Sequence, residues 1–353
     1  MKNTVIFKNL LIDGKLTDVE CRDGIITRIG SLDGDGIDMG GKKAFAGLVD
    51  IHTHGICGLD TMDGEIEKLS ELYAAAGTTS FCPTTMTTPL ENIKALLSRP
   101  LTCRGAKVCG FHLEGPYISE KFPGAQNKDF ICSPTDELEG YENVSLVTLA
   151  PELEGALDYI KSTKAKICVG HTSADYETVC RAADAGAVCV SHIFNAMPPL
   201  HHREPSVIGA AFDKNMYVQI ICDGIHIHPA VVRMVYSLFG ADRIILISDS
   251  MRACGLPDGQ YELGGYKISV ENKIARTETG ALAGSTSTLL DCVKKAIEFG
   301  ISEADAFRMA SETPAKMLGL NCGKLEVGYD CDFVVLDEKM ELAGVVINGV
   351  FTK

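Results

Sequence analysis

The sequence predicts an α/β chain in which a (β/α)8 TIM barrel carries a small β-sandwich domain built from both termini. Three observations predict it. Eight apolar, strand-like runs alternate with helical stretches through the middle of the chain. Both ends hold only short strands and turns. Six of the eight central runs close on, or just before, histidine or a carboxylate, as expected where a barrel gathers its active site at the C-terminal ends of its strands. The boundaries that follow are residues 1–46 plus 320–353 for the small β-domain and 47–319 for the barrel, with a β-hairpin insertion at about 255–283. A doubly wound open sheet is the competing architecture.

In chain order, Val5 to Phe7, Leu10 to Ile12, Thr17 to Cys21 and Ile25 to Ile29 read as strands, separated by the turn pairs Asp13-Gly14 and Asp23-Gly24. Near the other end, Phe333 to Leu336, Leu342 to Ile347 and Val350-Phe351 behave alike, with Asn348-Gly349 as a turn. Neither end supplies enough strands to bury a face alone, so the two are expected to pair. The barrel strands are Leu48 to His54, Thr78 to Pro83, Lys107 to Glu114, Val144 to Leu149, Lys166 to His171, Ala187 to His192, Tyr217 to Cys222 and Arg243 to Asp249. Helical periodicity intervenes at Glu65 to Ala76, Leu90 to Arg99, Glu152 to Ser162, Ala174 to Ala185 and Pro229 to Phe239, then at Ser285 to Phe299 and Glu303 to Met309. Between Gly255 and Ala283 the alternation gives way to hairpins, expected to sit over the barrel mouth.

With 33 basic and 47 acidic residues the formal charge is −14, which repels phosphate backbones and argues against nucleic acid or an anionic membrane as the main partner. No apolar run approaches membrane-spanning length, and the expected address is cytoplasmic. The 14 cysteines fall singly, without Cys-x-x-Cys spacing, and read as reduced, buried, small hydrophobes rather than a disulfide framework.

The chemistry sits at the strand ends. In Leu48-Val49-Asp50-Ile51-His52-Thr53-His54 the two histidines share a face and can share a metal ion. The third strand closes on His112 and Glu114, the fifth on His171, the sixth on His192, the seventh on Asp223 with His226 beyond, and the eighth on Asp249. His112 reads as a hydrogen-bonded neighbour rather than a ligand, and Asp223 has a simpler role in its Asp-Gly turn. Such a ring permits hydrolysis by a metal-activated water, with Asp249, alone at its strand end, as base and then acid.

These residues resemble the amidohydrolase superfamily, and within it the deacetylases of phosphorylated amino sugars. The resemblance rests on His52-Thr53-His54, on Gly110-Phe111-His112-Leu113-Glu114-Gly115-Pro116, on Gly170-His171-Thr172 and on His192-Ile193-Phe194-Asn195-Ala196-Met197. Asp223-Gly224-Ile225-His226, Ser248-Asp249-Ser250 and Leu282-Ala283-Gly284-Ser285 extend it, as does the tail from Gly323 to Leu336. It implies a metal-dependent amide hydrolase in which Glu114, His171 and His192 hold the principal divalent metal ion and Asp249 is the catalytic residue. It further implies that a small-molecule phosphorylated amino sugar is bound by Ala125, Asn195, Ala196, Leu282, Ala283 and Gly284, with Arg203 and His226 at the phosphate. The family is commonly a homodimer, in which the loop after the sixth strand reaches toward the neighbour's site. Relatives lacking the His-x-His pair use one ion; with His52 and His54 intact, a second ion bridged through Glu114 is expected, zinc or iron suiting these ligands. Gln126 stands where many relatives place a substrate-contacting histidine, so it joins the substrate-binding residues but leaves the sugar preference open.

Two alternatives stand. One is another amidohydrolase, such as an N-acyl-amino-acid deacylase or a cyclic amidase; the fourth strand's end, Thr148-Leu149-Ala150-Pro151, lacks the lysine many cyclic amidases use to bridge two metals. The other is a non-catalytic relative acting as a binding module, which should have lost ligands.

Overall fold

A computed structural model describes residues 4–138 and 140–352. Its centre is a curled parallel sheet. The first strand (Leu48–Thr53) pairs with the second (Thr78–Pro83), which pairs with the first half of the third (Lys107–Val108). The second half (Phe111–Glu114) opens a continuous run through Val144–Leu149, Lys166–Val169, Ala187–Val190, Tyr217–Ile221 and Ile244–Ile247. Two backbone links bring the run round on itself: a bridge between Thr84 and His112, and a hydrogen bond from Asp249 N to His52 O at 2.9 Å.

Alternate side chains on these strands go to two cores. Val49, Ile51, Cys82, Leu146, Cys168, Cys189, Ile221, Ile245 and Ile247 fill the inside, closed below by Ala315, Met317 and Cys322. Leu48, Phe81, Leu113, Val147, Val169, Val190, Val218 and Leu246 face the surrounding helices. The helices start where the sequence supplies caps: Asp175 accepts from Thr178 N, and Thr288 with Asp291 forms a capping box.

The structure corrects several expected boundaries. Five strands stop short of their expected ends, at Thr53, Val169, Val190, Ile221 and Ile247, so His54, His171, His192 and Asp249 lie just beyond them. The third strand is broken at Cys109-Gly110, where Gly110 has φ +95° and an added Cβ would collide with Ser145 Oγ. Helices Ser206–Asp213 and Glu312–Leu318 were not anticipated; the first begins at Pro205-Ser206, inside what reads as loop, and the second at a Ser-Glu-Thr-Pro segment.

Strands from both ends of the chain share one sheet. Lys43–Ala46 pairs with Phe333–Leu336 on one side and touches Thr4–Ile12 on the other, which merges the two sets of strands into a single eight-stranded ladder. That sheet bends over its own core of Phe7, Leu10, Val19, Ile26, Phe333 and Val346, and Ile26 N donates back to Tyr329 O at 2.8 Å. The insertion is a three-stranded antiparallel sheet, Gly259–Leu263, Tyr266–Glu271 and Ile274–Thr277. No helix among the described residues is long and apolar enough to cross a membrane.

Candidate metal centre

The first strand delivers its histidines through an irregularity. Its register against the second strand shifts between Asp50 and Thr53, so His52 follows the inward-packed Ile51 and still reaches inner side chains. Thr53 turns outward to Tyr73 Oη and Ser250 Oγ, each at 2.7 Å. His171, His192 and Asp249 have φ of +46°, +23° and +47°, the left-handed region, which swings each side chain off its strand axis into the centre. Such a conformation costs about 1–2 kcal/mol per residue. Each fully buried aliphatic side chain of the surrounding cores returns about 1.5–3 kcal/mol, so the scaffold can hold the strain. Gly124, at φ +58°, passes so close to His171 that a Cβ there would lie 3.1 Å from its Cε1.

The four predicted histidine ligands converge on the fifth, the Glu114 carboxylate. Glu114 Oε1 lies 3.0 Å from His52 Nε2, 3.2 Å from His171 Nε2 and 3.0 Å from His192 Nε2. Glu114 Oε2 lies 3.1 Å from His54 Nε2, and Asp249 Oδ1 is 3.3 Å from His54 and 3.6 Å from His52. All six residues are buried.

Which ring nitrogens carry protons follows from their outer partners. His171 Nδ1 donates to the carbonyl of Phe122 at 3.0 Å, leaving a lone pair on Nε2. His52 Nδ1 faces Gln219 Oε1 at 2.9 Å, and the backbone N–H of His192 also points at that atom at 3.4 Å, which identifies it as the carboxamide oxygen. Neutral rings therefore turn lone pairs toward a carboxylate oxygen. His52 Nε2 makes no directed hydrogen bond although buried, and His171 Nε2 and His192 Nε2 approach to 3.1 Å. Lone pairs packed this way repel unless positive charge joins them.

The titration directions say the same. Burial opposes a charged imidazole, yet the Glu114 and Asp249 charges outweigh it and push His52 up to about 9, and hydrogen bonds to Asp249 and Glu114 push His54 up to about 10. Burial works to raise Glu114, but the charges of His52 and His171 hold it well below the usual carboxylate range. A divalent cation supplies that positive charge without protonating the rings. Imidazole nitrogens with a carboxylate, the Nδ1 protons of His52 and His171 donated outward, are a donor set that fits zinc or iron. Two overlapping groups have ligand atoms close enough to share an ion: His52, Glu114 and His192, and His52, His54 and Asp249.

A cavity of about 300 Å³ opens beside these residues, lined by His54, Glu114, His171, His192 and Asp249. Of the expected substrate contacts, Ala125, Gln126, Asn195, Ala196, His226, Leu282 and Gly284 line it. Ala283 is fully buried against Met86 and Met251 behind the wall. Arg203 is not brought to it: it lies exposed on the loop after the sixth strand, its Nη1 2.7 Å from His202 Nε2. His226 is held by Asp223, whose Oδ2 meets Nδ1 at 2.7 Å while its Oδ1 accepts from the backbone N–H groups of Ile225 and His226. Burial opposes the charge on His226, but the Asp223 bond outweighs it and raises the ring above its ordinary range. His112 is satisfied on both nitrogens, by Thr84 Oγ1 at 3.1 Å and Thr148 Oγ1 at 2.7 Å.

Reading the sequence missed Gln219, Met86, Phe194 and Leu263. Gln219 had a signal, a lone polar residue inside the apolar run Val218-Gln219-Ile220-Ile221. Met86 and Phe194 had none beyond following strand ends, and Leu263 reaches the pocket only because the insertion folds over the mouth.

The model of the amidohydrolase family matches residues 44–352. The chain is 38% identical over 352 residues to an N-acetylglucosamine-6-phosphate deacetylase of Vibrio furnissii, covering 93% of this chain and 88% of that protein. It is 35% identical over 360 residues to an N-acetylgalactosamine-6-phosphate deacetylase of Escherichia coli O157:H7, covering 96% and 95%. A solved structure of a mutant N-acetyl-D-glucosamine-6-phosphate deacetylase from Mycobacterium smegmatis, in complex with N-acetyl-D-glucosamine-6-phosphate, superposes with a TM-score of 0.90 at 30% identity, covering 99% of both chains. With the curled parallel sheet, this likeness gives a TIM-barrel-like α/β fold.

Proposed function

The chain belongs to the amidohydrolase family, and from that membership we propose that it removes the acetyl group from N-acetylglucosamine 6-phosphate, giving glucosamine 6-phosphate and acetate. The observation that carries the reading is the convergence of His52, His54, His171 and His192 on the two oxygens of Glu114, with Asp249 beside them at the wall of the pocket.

Glu114, His171 and His192 would hold the principal ion, and His52 and His54 with Asp249 nearby would offer the second position. A divalent cation here lowers the pKa of water and polarises the amide carbonyl. Asp249 takes the proton from the attacking water and passes it to the departing amine. Asp249 lines the pocket with its Oδ1 3.3 Å from His54 Nε2, which places a carboxylate oxygen where the proton is released. Ala125, Asn195, Ala196, Leu282 and Gly284 shape the sugar's seat. His226, its charged form favoured by the Asp223 bond, meets the phosphate. Arg203 suits phosphate by its forked donors, and on its exposed loop it serves a neighbouring copy in a homodimer. The scaffold is a (β/α)8 barrel, and unpaired cysteines fit a reducing, cytoplasmic setting.

N-acetylgalactosamine 6-phosphate is the second reading, favoured by the E. coli relative matched over nearly its whole length. Acetate release from both epimers, phosphorylated and not, together with elemental analysis, tests both. Release from N-acetylglucosamine 6-phosphate at the highest kcat/KM is expected. No acetate from any of the four would reject the deacetylase reading.

A further inference from the structure

Gln126 has both ends of its carboxamide in use. Thr87 N donates to Oε1 at 2.7 Å. A backbone N–H only donates, so the atom it faces is the oxygen, and the amide nitrogen is the end that lies 2.6 Å from Glu114 Oε2. The second N–H is turned toward Met86 Sδ at 3.7 Å. Gln126 is 4% exposed and Glu114 3%. Little of this amide is left for a sugar hydroxyl.

A carboxylate on a flexible stem turns easily about its last bond, where the torsional wells are broad. Here rotation decides which oxygen meets which histidine. Oε1 faces His52, His171 and His192, and Oε2 faces His54. We propose that Gln126 is a positioning residue: by donating to Oε2 from a backbone-anchored amide, it fixes the plane of the Glu114 carboxylate, and so presents Oε1 to the principal ion and the second lone pair of Oε2 to the His54 side. An amide cannot lose this proton in the working pH range, so the clamp is permanent. The inference rests on Glu114 being a metal ligand, and the test separates the two.

The metal-stripped chain and its Gln126→Leu and Gln126→Asn variants are titrated with Zn2+ against a chromophoric chelator, and with Co2+ while the visible spectrum is recorded, without substrate. Leucine keeps the bulk and loses the donor; asparagine keeps the donor one methylene short of Glu114. Both are expected to bind Zn2+ roughly 10–100-fold more weakly, the usual effect of removing a group that orients a ligand, and to show a changed Co2+ spectrum. If the parent chain binds no metal, the ligand assignment and this inference fall together. If the parent binds and both variants match its affinity and spectrum, the inference alone falls. Steady-state acetate release by the metal-loaded variants is measured alongside, and a raised KM as the sole change would make Gln126 a substrate contact instead. Should the leucine variant not fold, the asparagine variant decides on the same measurements.

Discussion

Gln219 Oε1 accepts the Nδ1 proton of His52 at 2.9 Å, from the middle of the seventh strand to the end of the first. The bond fixes the tautomer and aims the Nε2 lone pair at Glu114. Gln219→Leu would leave a buried N–H without a partner at a cost of about 1–3 kcal/mol. Metal affinity is expected to fall roughly 10–100-fold with it. Urea unfolding of the metal-stripped variant and a Zn2+ titration check the two effects; no change in either would mean that His52 does not depend on this partner.

Asp249→Asn should lower acetate release by about 10²–10⁴-fold, the range for losing a general acid–base group. The principal ion should stay bound, since Glu114, His171 and His192 remain. Retained turnover in a steady-state assay would reject the role given to Asp249.

The double variant His52→Gln with His54→Asn is expected to lose one ion and keep the other. His52 Nε2 stands as near to Glu114 Oε1 as His192 does, so elemental analysis reads how far His52 serves the principal ion as well. Loss of all metal would reverse the assignment of the two positions.

The Asp223–His226 pair sets a pH dependence. His226 is raised above its ordinary 6.5, so the stability its charged form contributes is full below 6.5 and fades as pH climbs through the raised value. Asp223 is lowered from 3.8: burial would raise it, but the His226 bond and charge prevail, so its contribution is full above 3.8 and fades as pH falls through the lowered value. KM for the phosphorylated sugar should therefore rise as pH passes the raised His226 value. Asp223→Asn should move that rise to lower pH. It should also increase KM at neutral pH by about 10–100-fold, the worth of a charge-assisted hydrogen bond of about 1.5–3 kcal/mol. An unphosphorylated analogue should show neither effect. Equal shifts for both sugars would remove His226 from the phosphate.

Much of this site could be read from the residues, because chemistry at the end of an apolar strand stands out against its background. His52, His54, Glu114, His171, His192 and Asp249 were all legible for that reason. The exact end of each strand was not: His and Asp adopt positive φ more readily than most residues, but the left-handed turns at His171, His192 and Asp249 depend on tertiary contacts that residue type alone does not locate. Helix Ser206–Asp213 was hidden by the proline and histidine-rich loop before it. The way the two ends join was hidden too, since Lys43–Ala46 is a short segment whose pairing on both sides only the folded chain displays. Gln126 illustrates the remaining gap, since its residue type is visible in the sequence but its attachment to Thr87 and Glu114 is not.

The sheet shared by both ends has a consequence during synthesis. As the chain leaves the ribosome, Lys43–Ala46 emerges early and Phe333–Leu336 only near the end, so one side of that strand stays unpaired through most of translation. The N-terminal strands must wait with open hydrogen-bonding groups, a template for the wrong neighbour. Completion of the sheet is then among the last events of folding, and crowding by nascent copies is the condition under which this protein is most exposed to aggregation.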